Sequence, residues 1–76
     1  MYYVYVLRDR QTRQPYYGYT NNLKRRLADH EKNGLPELVY YEAYKAESDA
    51  RRRERQLKHH AQACTALRMR IKESLR

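Results

Sequence analysis

Five polar residues along this chain offer the chemical groups that cleavage of a phosphodiester would need. They are Tyr5, Tyr16, Arg26, His30 and Glu54. A phenol or an imidazole can take or give a proton, a guanidinium can hold a phosphate, and a carboxylate can bind a cation. Together these groups indicate metal-dependent hydrolysis. They can act together only if the elements that carry them bring them to one place.

Two short segments near the start of the chain predict a β-hairpin that carries the tyrosines. The segment from Tyr2 to Leu7 contains only aromatic, β-branched and aliphatic residues, which is typical of a buried strand. A polar stretch then leads to a second short strand, which opens at Pro15 and runs to Tyr19. Because Tyr5 and Tyr16 lie on adjacent strands, their side chains can point the same way.

A helix from about Asn22 to Lys32 is predicted to follow the hairpin. Side-chain oxygens in the Thr20–Asn22 segment can cap its start, and Asn33-Gly34 is expected to stop it. Arg26 and His30 lie four residues apart, so they share a face that flanks the apolar stripe of this helix. Both residues could reach a ligand beside the sheet. A packed histidine and an arginine whose stem covers the core remain the alternatives.

A third strand is predicted from Glu37 to Tyr44, and two helices are predicted after it. Ser48 is expected to cap the first of these helices, which runs from about Asp49 to Lys58. A basic helix is expected from about Ala61 to Leu75. The order ββαβαα predicts one α+β domain over residues 1–76, with a small three-stranded, mainly antiparallel sheet flanked by helices.

Glu54 is a carboxylate on the apolar side of the second predicted helix. On a helical projection it falls close to Ala50 and Leu57. A charge turned toward a core is costly unless it is paired or binds a cation. One interpretation is therefore an ion pair, for example with Arg26. The other is a ligand for Mg²⁺ or Mn²⁺, because magnesium commonly takes only one or two carboxylates and completes its shell with water and phosphate.

The net charge of +8 is concentrated toward the C-terminal end of the chain. Residues 1–50 contain eight Lys or Arg and seven Asp or Glu, for a net charge of +1, and residues 51–76 contain nine and two, for a net charge of +7. This asymmetry indicates a polyanionic partner, with nucleic acid ahead of a membrane surface. The alternative is a pair of well-solvated helices whose charges keep the surface soluble.

The remaining composition limits the classes of protein to which the chain can belong. A single cysteine, Cys64, excludes an intramolecular disulfide, and His59 and His60 lack further ligands at the spacing of a zinc site. No apolar run approaches the roughly 20 residues of a membrane span. Met1 leads directly into an apolar strand and not into a basic signal-peptide region, so the expected location is the reducing cytoplasm.

The order of these motifs resembles the GIY-YIG nuclease superfamily, and the tail resembles that of its small stand-alone bacterial members. The two motifs that name the superfamily correspond to Tyr3-Val4-Tyr5 and Tyr16-Tyr17-Gly18. Arg26 matches the essential arginine of the family helix, His30 lies one turn on, and Glu54 matches the metal-binding glutamate. The likeness spans roughly residues 2–58. Each motif alone is weak, whereas the set in the right order is specific.

The resemblance implies an endonuclease that hydrolyses nucleic acid, with DNA ahead of RNA and the choice between them left open, and with one Mg²⁺ or Mn²⁺ ion held by Glu54. It implies that Arg26 neutralises charge on the phosphoryl oxygens and that Tyr5 takes the proton from the attacking water. Tyr16 and His30 would orient that water or the phosphate. No separate recognition domain accompanies the motifs, so structure-selective or non-specific cleavage is expected.

Further expectations concern how the substrate is held. Gly18 would let the backbone approach closely where a side chain would obstruct. Contacts to the phosphate backbone, which make binding salt-sensitive, are expected from five basic residues, Arg51, Arg55, Lys58, Arg68 and Arg70. One alternative is a non-catalytic nucleic-acid-binding module on the same scaffold. Another is a protein-interaction domain whose tyrosines form a docking face.

Overall fold

The computed structural model describes residues 1–32, 34 and 36–76, and over this part of the chain it confirms the predicted order of elements. The elements are β1 (Tyr2–Arg8), β2 (Pro15–Thr20), α1 (Leu23–Lys32), β3 (Glu37–Tyr44), α2 (Glu47–His59) and α3 (Ala61–Arg70). Together they form an α+β fold. In the described residues, no helix is both long and apolar enough to cross a membrane.

An antiparallel sheet with the strand order β2-β1-β3 forms the centre of the molecule. β1 lies in the middle because its run of aromatic and β-branched residues suits a strand that is covered on both faces. Its residues from Val4 to Arg8 are all buried. The register places Tyr5 opposite Gly18 on β2 and opposite Tyr41 on β3. The first name-giving motif therefore lies directly beside the second.

The main core lies between one face of the sheet and the helices α2 and α3. Val4 and Val6 of β1 belong to one buried cluster with Ala50 and Leu57 of α2 and Leu67 of α3. Burial of each valine or leucine side chain stabilises the fold by about 1.5–3 kcal/mol. This packing fixes α2 against the sheet, and it therefore fixes the position of the glutamate that α2 carries.

The opposite face of the sheet carries Tyr5 and is approached by α1, which is packed less tightly. None of the ten residues of α1 is buried. Its start is capped as predicted, because Oδ1 of Asn22 accepts a hydrogen bond of 3.1 Å from the backbone N–H of Arg25. Beyond its end, Gly34 has a φ of +142°, which favours glycine. Asn33, the other residue expected to stop α1, lies outside the described residues.

The predicted start of α2 is wrong. The helix begins at Glu47, with Ala46 at the capping position and without a side-chain cap. Ser48 therefore lies inside the first turn. Glu47 and Asp49 place two carboxylates in that turn. Negative charge interacts favourably with the N-terminal end of a helix, and this interaction supports the earlier start.

The predicted end of α3 is also wrong, because the helix stops at Arg70 and not at Leu75. Ile71 leaves the helical conformation, with φ −113° and ψ 27°, and the chain continues in turns. The buried guanidinium of Arg8 donates hydrogen bonds to the backbone carbonyls of Leu75 and Arg76. A buried guanidinium needs acceptors, and the last residues can supply them by turning back toward β1.

Candidate active site

The side chain of Tyr5 lies at the centre of the candidate site and passes directly over Gly18. Only 1% of Tyr5 is exposed. A Cβ atom added to Gly18 would lie 2.5 Å from the hydroxyl oxygen of Tyr5 and 2.6 Å from the ring carbon that bears it. Gly18 thus lets the phenol of Tyr5 lie against the backbone of β2, and a close approach of this backbone to a substrate stays a prediction. Glycine at this position lets Tyr5 reach across the edge strand β2.

Tyr5, Tyr16 and His30 form a cluster of three rings. The hydroxyl oxygen of Tyr5 lies 3.3 Å from Nε2 of His30, which is a long hydrogen bond. The ring centroids of Tyr16 and His30 are 5.4 Å apart, and those of Tyr5 and Tyr16 are 6.4 Å apart. Tyr16 is 51% exposed, so its ring forms the solvent-facing wall of the cluster. The hairpin and α1 thus bring together three of the predicted polar residues.

Arg26 lies on α1, one turn before His30, and its guanidinium is close enough to the phenol of Tyr5 to affect the pKa of Tyr5. Burial raises the pKa of Tyr5, the neighbouring Tyr16 raises it further, and Arg26 opposes both effects. The pKa of Tyr5 is raised on balance, so the phenol keeps its proton at neutral pH. Arg26 itself is exposed, which leaves the guanidinium accessible to an anion from solvent.

Glu54 reaches the same site from α2. Its side chain is 22% exposed, and Oε2 lies 3.3 Å from Nζ of Lys58, one turn further along the helix. Nζ of Lys58 also lies 6.0 Å from the ring centroid of Tyr16. The carboxylate is close enough to Tyr5 to contribute to its raised pKa. The ion pair considered for Glu54 from the sequence therefore forms with Lys58, whereas Arg26 was suggested as its partner.

The single carboxylate of Glu54 fits one divalent cation. Among the described residues, no group of three or more His, Cys, Asp or Glu side chains could share a metal ion. A magnesium ion does not need such a group, because water and substrate phosphate complete its shell. Glu54 already faces the positive charge of Lys58 at 3.3 Å, so the carboxylate is placed to hold a cation. The other groups around it are phenols, an imidazole and a guanidinium.

The basic residues expected to contact the phosphate backbone are all exposed: Arg51, Arg55, Lys58, Arg68 and Arg70. They do not form one patch. Nε of Arg51 donates a hydrogen bond of 2.8 Å to the hydroxyl of Tyr19 on β2. Arg70 lies close enough to Tyr40 on β3 to affect its pKa. Because β2 and β3 are opposite edges of the sheet, these arginines lie on different sides of the molecule. Their contacts with nucleic acid remain a prediction.

A second carboxylate, Glu42 on β3, was missed by the sequence reasoning. It accepts hydrogen bonds from the hydroxyls of Tyr40 and Tyr44 at 2.6 and 2.5 Å. It also accepts three hydrogen bonds from Arg53 on α2, at 3.0–3.2 Å. Residues 40, 42 and 44 alternate along a strand and therefore share one face, which was the available signal.

The hydrogen bonds to Glu42 control the protonation of this cluster. Burial alone would raise the pKa of Glu42, but the hydrogen bonds from Arg53, Tyr40 and Tyr44 lower it below its ordinary value. Burial and the hydrogen bond to Glu42 raise the pKa of Tyr40 and that of Tyr44 to about 12. The carboxylate therefore stays charged and the phenols stay neutral, as a structural cluster requires.

Comparison with known proteins gives one match. A family model described as the GIY-YIG catalytic domain matches residues 1–68. The match includes the hairpin, the three-ring cluster and α2, and it extends into α3. Searches of curated proteins and of solved structures found no match.

Proposed function

This chain belongs to the GIY-YIG catalytic domain family, and on that premise we propose that it is an endonuclease that cleaves DNA with one divalent cation. The family consists in general of endonucleases that act on nucleic acid. The observation that carries the proposal is the convergence on one site of groups from four elements. β1 supplies Tyr5, β2 supplies Tyr16, α1 supplies Arg26 with His30, and α2 supplies Glu54.

Tyr5 and His30 act together on the proton of the attacking water. The phenol keeps its own proton at neutral pH, because its pKa is raised. As the water oxygen bonds to phosphorus, its proton passes to the oxygen of Tyr5 and the phenol proton passes to Nε2 of His30, 3.3 Å away. The bond from phosphorus to the departing 3′ oxygen breaks in the same step. This relay avoids forming a buried phenolate.

Arg26 and Glu54 act on the charge of the phosphate. The exposed guanidinium of Arg26 can bind two phosphoryl oxygens and stabilise the charge that builds up on them. Glu54 is the residue that would hold the cation, which when bound supplies positive charge for the phosphate and the departing oxygen. Tyr16 borders the entry to the site, because it is half exposed and its ring contacts both Tyr5 and His30.

The net charge of +7 over residues 51–76 supports a nucleic-acid substrate and cleavage with little sequence preference, because positive charge attracts a phosphate backbone irrespective of sequence. The exposed basic residues lie on different sides of the molecule, so they would contact phosphates at more than one place. We therefore expect cutting of non-specific or structurally distorted DNA, such as a branched duplex.

A nicking assay tests this proposal. Supercoiled and branched DNA are incubated with Mg²⁺ or Mn²⁺ and with the wild-type protein, Glu54→Ala or Arg26→Ala. Both variants should fold and should lose cutting by about 10²–10³-fold, which is the usual loss when a group that stabilises transition-state charge is removed. Arg25→Ala is the matched control, because Arg25 is the exposed neighbour of Arg26 on α1 and should be dispensable.

Three results would oppose the proposal in different ways. Full cutting by Glu54→Ala would remove Glu54 as the metal ligand. Equal cutting in EDTA would remove the cation from the reaction. DNA binding without cutting in either cation would instead favour a non-catalytic binding module on this scaffold.

A further inference from the structure

We propose that the ammonium of Lys58 pairs with the carboxylate of Glu54 in the free protein, in place of a metal ion. We propose further that it leaves this carboxylate when the phosphate backbone of DNA binds. The proposal rests on the proposed function, because it concerns the same carboxylate. Nζ of Lys58 lies 3.3 Å from Oε2 of Glu54 and 6.0 Å from the ring centroid of Tyr16. The ammonium therefore lies near both the acid of α2 and the exposed ring of β2, beside the carboxylate that would hold a divalent ion.

The ion pair between Lys58 and Glu54 is easily broken. The ammonium meets a single carboxylate oxygen, and the lysine side chain is 40% exposed. Exposed ion pairs of this i,i+4 type are weak, because water and salt compete with them. Lysine carries its charge at the end of a flexible four-carbon stem, so it can move away without disturbing α2. By contrast, Arg53 bonds both carboxylate oxygens of Glu42 and is only 22% exposed.

Charge makes the two cations compete. Lys58 and a divalent ion at Glu54 repel each other at close range, so the ammonium weakens metal binding to the free protein as long as it stays beside the carboxylate. A DNA phosphate changes this balance in two ways. It gives the ammonium another anionic partner, and it gives the metal additional oxygen ligands. DNA and metal should therefore each increase the affinity for the other, by the same factor.

Binding of Mn²⁺ to the free protein tests the competition without using catalysis. Free Mn²⁺ is measured by electron paramagnetic resonance during titration of the wild type, Lys58→Gln, Lys58→Arg and Glu54→Gln, after circular dichroism has confirmed that each is folded. Lys58→Gln keeps most of the stem but removes the charge, so it should bind Mn²⁺ on the order of tenfold more tightly. Lys58→Arg keeps the charge and should bind like the wild type. Glu54→Gln should lose the site.

The outcomes separate failure of this inference from failure of the proposed function. Unchanged or weaker Mn²⁺ binding by Lys58→Gln, with binding lost in Glu54→Gln, would overturn the role of Lys58 and keep Glu54 as the metal ligand. Binding by Glu54→Gln equal to the wild type would remove the proposed metal ligand, and with it this inference. Absence of binding in every variant would also overturn the inference, because removal of the ammonium should expose the carboxylate.

The dependence of DNA binding on metal gives a second readout. Fluorescence anisotropy measures the affinity for a short labelled duplex, with and without Mn²⁺, before nicking is detectable. Mn²⁺ should strengthen DNA binding several-fold more in the wild type than in Lys58→Gln, because in the variant the metal site is already open. An equal factor in both proteins would contradict the exchange.

Discussion

The carboxylates of Glu42 on β3 and Glu54 on α2 each pair with a basic residue of α2, but their surroundings differ. Glu42 is 14% exposed and accepts hydrogen bonds from two phenols and from Nε and Nη2 of one guanidinium, that of Arg53. Glu54 is 22% exposed and has one ammonium, at 3.3 Å from one of its oxygens. The first carboxylate is saturated by rigid partners. Among the described residues, the ion pair of the second is made with one ammonium on a flexible stem.

We propose that this difference separates a structural acid, Glu42, from a functional one, Glu54. A buried carboxylate whose lone pairs are all used stabilises one arrangement of its partners, and removing a partner leaves an uncompensated charge. Such an acid cannot take a metal ion without losing Arg53. Glu54 can exchange its partner at little cost, because exposed lysine pairs contribute little to stability. The number and rigidity of the partners therefore indicate the role of each acid better than burial does.

The phenols around the two acids differ in the same way. Tyr40 and Tyr44 both donate to Glu42, which accepts no proton at neutral pH because its pKa is lowered. Tyr5 lies instead against an imidazole, with an arginine close by. A proton on Tyr5 can therefore move to His30, whereas the protons on Tyr40 and Tyr44 have no such acceptor.

The largest expected effect is on the nicking rate, and it appears when the loss of one hydroxyl from the candidate site is compared with the loss of one hydroxyl beside Glu42. Tyr5→Phe should reduce nicking by about 10²–10⁴-fold, the usual contribution of a group that transfers a proton, while thermal stability stays close to that of the wild type. Tyr40→Phe should leave nicking per folded molecule unchanged and destabilise the fold by about 1 kcal/mol. Nicking rates and thermal denaturation of the two variants check this. Equal nicking by both would remove the distinction between the phenols.

The next largest effect is on the free energy of unfolding and concerns Glu42. Glu42→Gln leaves the guanidinium of Arg53 without its charged partner, so we expect a loss of about 2–3 kcal/mol in the free energy of unfolding. For a domain of this size the melting temperature should fall by roughly 10–20 °C. Glu54→Gln should change it by less than about 4 °C. Urea denaturation of both variants measures the difference, and similar losses would contradict the contrast between the acids.

The pH dependence of nicking tests whether Tyr5 acts as a neutral phenol or as a phenolate. The relay needs the proton on the phenol, and the pKa of Tyr5 is raised above its ordinary value by burial. The nicking rate should therefore be level from about pH 8 to about pH 10, because the neutral phenol is the active form. In His30→Ala the phenol must ionise to act, so the rate should rise steadily over that range. A steady rise in the wild type would show that a phenolate is the base.

The smallest expected effect concerns Tyr16, whose described contacts are made by its ring. Its ring lies 5.4 Å from that of His30, and Lys58 lies over it. Tyr16→Phe keeps the ring and should reduce nicking by no more than about threefold, whereas Tyr16→Ala should lose about tenfold, in line with the loss of ring packing. A large loss in Tyr16→Phe would assign a direct role to the hydroxyl.

The sequence predicted most of the fold because its apolar runs are short and clearly bounded. The strands from Tyr2 and Pro15 and the strand Glu37–Tyr44 were all found from local pattern. The end of α3 was not found, and the residues after it make contacts that are distant in sequence: Arg8, more than 60 residues away, donates hydrogen bonds to the last two carbonyls. Such a contact leaves no signal in nearby residues.

The residues of the candidate site were proposed from the sequence, and their roles stay predictions, whereas the contacts between them were not foreseen. All five polar residues correspond to motifs of the GIY-YIG superfamily. Lys58, by contrast, was expected to contact the phosphate backbone of the substrate and not Glu54. The spacing of Glu54 and Lys58 already placed them on one face of α2. The pairing of Glu42 with Arg53 could not be read in this way, because it depends on how α2 packs across β3.

If Glu54 is a functional acid, replacing it must slow nicking far more than replacing Glu47, an acid at the start of the same helix. Both lie on α2 and both pair with a basic residue four positions on, Glu47 with Arg51 at 3.6 Å and Glu54 with Lys58 at 3.3 Å. We predict that Glu54→Gln nicks supercoiled DNA in Mn²⁺ about 10²–10³-fold more slowly than the wild type, and that Glu47→Gln stays within about threefold of it. Equal rates for the two folded variants would contradict the account.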